Sequence, residues 1–190
     1  MHNIEPYWKW RDYYTAERDK KSPFFGKQYS EFSYTDKIYN YYIHPQWDDF
    51  GSPTLFMKLL FVHYVQKFAI IELFGEWNDC VQNDIMFLKR DIVDVLIANG
   101  VNKFIVVGEN VLNFHASDTS YYEEWWDDIS TSGGWIVGLN FAQHVLNEMY
   151  SAGIHQYIFL GDKYHSLPWR NYLPHHLVAH IDNILIKKIE

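Results

Sequence analysis

Four short apolar runs, "FAIIELFG", "KFIVV", "WIVGL" and "QYIFL", recur from residue 68 onward. Between them lie stretches whose apolar residues return every three or four positions. Compact apolar runs bounded by glycine or polar residues read as buried strands, and the three-to-four spacing reads as helices packed by one face. Strands alternating with helices through short connections demand right-handed crossovers and a mainly parallel sheet. The runs Leu55–Tyr64 and Phe68–Phe74, joined by "VQK", read as a hairpin, because β-branched and aromatic residues dominate both arms. The fold class expected is α/β: a single mixed sheet with an antiparallel leading hairpin followed by parallel strand–helix units.

Within that frame, "CVQNDIMFLKRDIVDVLIANG" places Val81, Ile85, Leu88, Ile92 and Val95 on one helical face. Asn78 or Asp79 is the expected N-cap, and Gly100 the left-handed stop. "SYYE", from Ser120 to Glu123, has the spacing of a capping box and opens a helix carrying Trp125, Trp126 and Ile129. A third helix runs from "NFAQ" to about Ala152, stopped by Gly153. Pro174 suits the first turn of a last helix that extends to about Ile189.

The segment 1–53 is different. Residues 1 to about 30 are rich in Tyr, Trp and charge without a clean period, so they read as a loosely organised arm. "FSYTDKIYNYYIHP" reads as an edge strand ending at Pro45, and "QWDDFGSP" as a turn. The chain therefore divides into an aromatic-rich N-terminal extension, 1–53, and an α/β domain, 54–190.

Charge and cysteine narrow the partners. A formal net charge of −8 opposes a nucleic-acid backbone. Cys80 is the single cysteine, so no intramolecular disulfide can form, and a reducing compartment is expected. "TLFMKLLFVHYVQKFAIIELFG" is broken by Lys58, His63, Gln66, Lys67 and Glu72, and falls short of the roughly 18 uninterrupted apolar residues of a membrane span. "MHNIEPYWKW" lacks the basic-then-apolar order of a signal peptide. A cytoplasmic protein is the expectation, without nucleic-acid or membrane partners.

The order hairpin, "GEWND", helix, "KFIVVGENVLNF", polar loop, helix, "GGWIVGL", helix "HVLNEMYSAGI", "HQYIFLGD" resembles the STAS fold of anti-sigma factor antagonists over residues 54–162. "GEWND" is similar to the family's Gly-Glu-hydrophobic-Asp element. "NFHASDTSY" is similar to its Phe-x-Asp-Ser-Ser-Gly element, with two extra residues between Phe114 and Asp118 and with Tyr121 where the glycine stands. The resemblance implies a non-catalytic regulatory module that contacts a protein partner and needs no cofactor. It also implies phosphorylation at Thr119, with Ser120 next to it, and a contact loop containing Asn113, His115 and Asp118.

Ligands of open parallel sheets gather at the strands' carboxyl ends. That rule singles out Glu76, Asn78, Asp79, Glu109, Asn113, His115, Asp118 and Asp162. Glu76, Asp79, Glu109 and Asp118 are the candidates to hold a hard cation in a metal-assisted hydrolase. The competing expectation is that these side chains cap helices and satisfy loop backbone. His115 beside Asp118 is a candidate base or phosphoacceptor, and a loop histidine making one ordinary hydrogen bond is the plainer account. His176 and His180 lie one helical turn apart, a metal-ligand spacing that an exposed helix face also explains. Cys80 lacks a resolving partner, and packing suffices for it. A third reading makes the aromatic arm a homodimer contact, against the alternative that it covers one face of the sheet.

Overall fold

The computed structural model describes residues 2–30, 32, 34, 37–161 and 163–186. Its centre is a four-stranded sheet in the order β4 (Leu55–His63), β5 (Phe68–Asn78), β6 (Lys103–His115), β7 (Trp135–Leu139). β4 and β5 are antiparallel, whereas β5–β6 and β6–β7 are parallel. The leading hairpin and the parallel units that follow are those expected. Lys67, at φ 59°, takes the left-handed conformation that closes the hairpin.

β6 is longer than "KFIVV", and "GENVLNFH" continues the strand. Thirteen residues of β6 run beside eleven of β5. Two register shifts, where Glu72 and Phe74 face Val107 and Asn110, and where Gly75 and Glu76 face Val111 and Asn113, absorb the difference. Each is a bulge with an extra residue on β6. The first lets two successive side chains, Glu109 and Asn110, reach partners on the same face.

One face of the sheet is covered by helices. These are α1 (Asp84–Phe87), a π-helical turn (Leu88–Val93), α2 (Asp94–Ala98), α3 (Ser120–Ser130) and α4 (Gln143–Ser151). Their apolar stripes close over Phe104, Val106 and Ile136. The first stripe departs from the expected periodicity. Ile85, Leu88 and Ile92 are buried, but Val81 precedes the helix and is exposed, and Val93 and Leu96 replace Val95 in the core. A π turn inserts a residue into the winding, so the inward face slips by one position afterwards.

The opposite face is covered in two parts. α5 (Pro174–Ile186) packs Leu177, Val178 and Ile181 against Ile105, Val107, Val137 and Leu139, joined there by Trp10 and Trp169. Ile38, Ile43 and Trp47 cover Phe56 and Phe74. Ile38, Ile43 and Trp47 belong to the N-terminal extension, and the first two of them to a small sheet of its own, β1 (His2–Ile4), β3 (Tyr41–Ile43), β2 (Lys37–Ile38). The expected edge strand is thus split: Tyr39, at φ 50°, turns the chain, and β2 and β3 pair with each other. The extension shares all three apolar clusters with the rest of the chain, through Ala16 and Phe50, through Trp10, and through Trp47.

"QYIFL" also differs. A 3-10 turn, Ile154–Gln156, uses residues after α4, and Gly161 at φ 97° bends the chain away. Only Phe159 makes a parallel bridge, to Val137. Asp162 and the expected extension of the last helix to about Ile189 lie outside the described residues.

Candidate functional site

The carboxyl ends of β5 and β6 lie side by side, with Glu76 opposite Asn113, Trp77 opposite Phe114, and Asn78 opposite His115. Trp77 and Phe114 turn into the helix-covered core and meet edge to face. Strand alternation sends Glu76, Asn78, Asn113 and His115 to the other face. There Glu76 Oε1 lies 3.4 Å from His115 Nε2 and accepts from Asn78 Nδ2 at 3.2 Å, while its other oxygen accepts from the Tyr39 hydroxyl. Asn113 Nδ2 is 3.2 Å from the same His115 nitrogen. The result is a polar patch with a half-exposed imidazole at its rim, and Tyr39 reaches it from the β2–β3 turn.

Asp79 belongs to a different environment. Its Oδ1 accepts from Trp77 Nε1 and Ile85 N, both at 2.9 Å, and its Oδ2 accepts from Tyr122 O–H at 2.5 Å. Burial raises its pKa to about 6 against the pull of these bonds. This carboxylate joins β5 to the first turns of α1 and α3. Asn78 Oδ1 accepts from Val81 N at 3.0 Å, so both expected caps serve the turns that lead into α1. Cys80 donates to the Ala116 carbonyl across the same junction.

The loop after β6 is short, since the strand continues to His115. Thr119 holds the N-cap position of α3 without a side-chain capping bond, and Ser120 is the first helical residue. The expected Ser120–Glu123 capping box is therefore absent. Asp118 takes that role from one residue earlier. Its carboxylate accepts from the Ser120 N–H at 3.0 Å and from the Ser120 hydroxyl. Those two bonds hold the Asp118 pKa below its ordinary value. Asp118, Ser120 and His115 are exposed, and Thr119 is half-buried.

Glu109 accepts from Arg170 and, at 3.3 Å, from Trp169 Nε1. The four carboxylates expected to share a cation thus have four separate sets of partners. No three of them bring ligand atoms within 4.8 Å of one another. Among the described residues the acidic group that does so is Asp94, Glu124 and Asp128, and the Lys89 amine bonds all three. His176 lies on the exposed face of α5, and His180 sits beside the Tyr172 ring.

Buried charges that the sequence did not propose as site residues include Glu72, Lys58 and Lys89. Glu72 on β5 accepts from Tyr7 N at 2.8 Å, with Arg170 Nη2 3.7 Å away, and burial pushes its pKa up to about 7. Lys58 faces it across the hairpin, and Lys89 fills the acidic group above. The available signal was a charge inside an otherwise apolar run.

The order of elements is that of a mixed α/β sheet in which an antiparallel hairpin leads into parallel strand–helix units. Over 56% of the chain the structure is similar to the anti-sigma factor antagonist SpoIIAA in its unphosphorylated form, at 16% identity, with 89% of that chain covered and a TM-score of 0.45. It is also similar to the Bacillus cell fate determinant SpoIIAA in the phosphorylated form, at 15% identity, with 56% and 92% covered and a TM-score of 0.41. No family model matches the sequence, and no curated protein matches it. Among the described residues no helix is long and apolar enough to cross a membrane.

Proposed function

We propose that the chain is a non-catalytic, cytoplasmic regulatory module that docks a protein partner through the segment Phe114–Tyr122, switched by phosphorylation at Thr119 or Ser120. The observation that carries this reading is the start of α3. An exposed serine hydroxyl and an unbonded threonine side chain stand at the N-terminus of an 11-residue helix, with Asp118 as the local anion. The strand-end carboxylates favour interaction over catalysis, because each is held by protein donors.

The two hydroxyls differ in consequence. A phosphoryl group on Thr119 sits where the free N–H groups and the helix dipole favour negative charge, so it orders the loop. One on Ser120 meets the Asp118 carboxylate, expels it from the Ser120 N–H and loosens the helix start. Asn113 and His115 complete the contact surface. Mass-spectrometric mapping of the protein from its own cells tests the switch: phosphate on Thr119 or Ser120 is expected, and stoichiometrically bare residues across growth conditions overturn it. Thr119→Ala and Ser120→Ala variants should then capture a partner independently of kinase treatment.

A further inference from the structure

A second region, remote in sequence from that loop, has the construction of a small-molecule site. An open cleft of about 370 Å³ lies between residues 11–19 of the arm and the end of β4, walled by Arg11, Tyr13, Tyr14, Arg18, Val62 and Tyr64. Behind it is a chamber of about 30 Å³, room for about two waters or the head group of a small ligand. Arg11, Tyr14 and Thr15 wall both spaces, and Lys58 lines the inner one.

The inner groups are not satisfied by the protein. The Lys58 side chain is 8% exposed; its ammonium is ion-paired with Asp48 Oδ2, but at a separation where neither buried atom has a hydrogen-bond partner. That separation is 3.5 Å, and the Tyr29 ring centroid lies 3.8 Å from the ammonium. Asp48 already takes the Tyr29 hydroxyl at 2.5 Å and Lys27 at 3.0 Å on its other oxygen. The Thr15 hydroxyl is likewise buried and unbonded. Buried donors in native proteins find partners, and two such donors beside one chamber call for an acceptor-bearing occupant. Burial lowers the Lys58 pKa against the pull of Asp48.

The outer cleft qualifies the charge of that occupant. Asp19 is neutralised in hydrogen-bond terms, accepting from Tyr14 O–H at 2.9 Å and Tyr64 O–H at 2.5 Å. Asp12 and Glu17 remain as walls, which disfavours a multiply charged guest. Tyr13, 66% exposed, and Arg18 offer a stacking surface and a cation at the rim.

We propose that this cleft binds a small organic monocarboxylate, with its carboxylate at Lys58 and Thr15 and its apolar or aromatic body against Tyr13, Tyr14 and Tyr64. Amide-resolved NMR titration of the full chain with benzoate tests it, with neutral benzamide as the matched probe. Saturating shifts in residues 11–19 and 58–64 are expected, with benzamide at least tenfold weaker. Lys58→Met should lose at least tenfold in affinity, and Arg18→Ser several-fold. If Lys58→Met does not fold, the near-isosteric Thr15→Val decides, and is expected to weaken benzoate several-fold. Shifts that do not saturate, equal binding of benzamide, or an unchanged Thr15→Val overturn the proposal and leave the chamber to water.

Discussion

Glu72 and Asp79 show at the level of single residues what burial does to a carboxylate. Both have folded-state pKa values above their ordinary ones, about 7 against 4.5 and about 6 against 3.8. From about pH 4 up to those values the folded protein keeps protons that the unfolded chain has released, so stability falls as pH rises and levels off above. At 1.36 kcal/mol per unit, each group contributes a decline of about 3 kcal/mol. The windows separate the two, because Asp79 finishes near 6 and Glu72 near 7. Urea unfolding from pH 4 to 8 should therefore show wild-type stability still falling between pH 6 and 7. The Glu72→Gln variant should lose that decline. A wild-type curve already level at pH 6 would contradict the assignment.

At the scale of elements, the π turn and the first bulge of β6 decide which side chains face inward. The π turn carries Lys89 beneath α3, where Asp94, Glu124 and Asp128 surround it. Lys89→Met fills similar volume but leaves three acids facing one another, with Arg90 alone beside them. A loss of about 2 kcal/mol is expected at pH 7, below the usual cost of breaking a buried pair because the acids are more than a third exposed. Urea midpoints of the variant and the wild type at pH 7 will read that loss. The bulge brings Gly108 against α4's approach. A Cβ there would lie 2.1 Å from the Phe141 ring, whose atoms are enclosed in the core. Gly108→Ala should cost about 1–3 kcal/mol by chemical denaturation.

For the molecule as a whole, the aromatic extension is part of the core. Trp10 is buried between Tyr7 and Trp169, with ring centroids 5.1 and 5.5 Å away, over the face that α5 also covers. Trp10→Ala should cost about 3–5 kcal/mol, while Trp8→Ala, two residues earlier and 55% exposed, should stay within about 0.5 kcal/mol. Thermal or urea unfolding of the two variants compares them directly. If the arm were only a dimer contact, Trp10→Ala would change light scattering at high concentration and leave monomer stability alone.

The sequence by itself determined the hairpin, the parallel units, most helix positions and the polarity of the strand ends, because periodicity and turn residues are local signals. It also located the Asp118–Ser120 segment as a helix start with Asp118 or Ser120 as its cap: the Ser120 box does not form, Thr119 stands at the cap position, and Asp118 reaches forward to Ser120. Tertiary structure alone decided which carboxylates meet. Asp79 turns inward with Tyr122, while Glu76 turns outward to His115 and Tyr39, although three positions separate them. Strand alternation and two bulges set those directions, and both depend on pairing with a neighbouring strand. The same holds for Lys58, whose unsatisfied ammonium exists only because a distant arm folds over it.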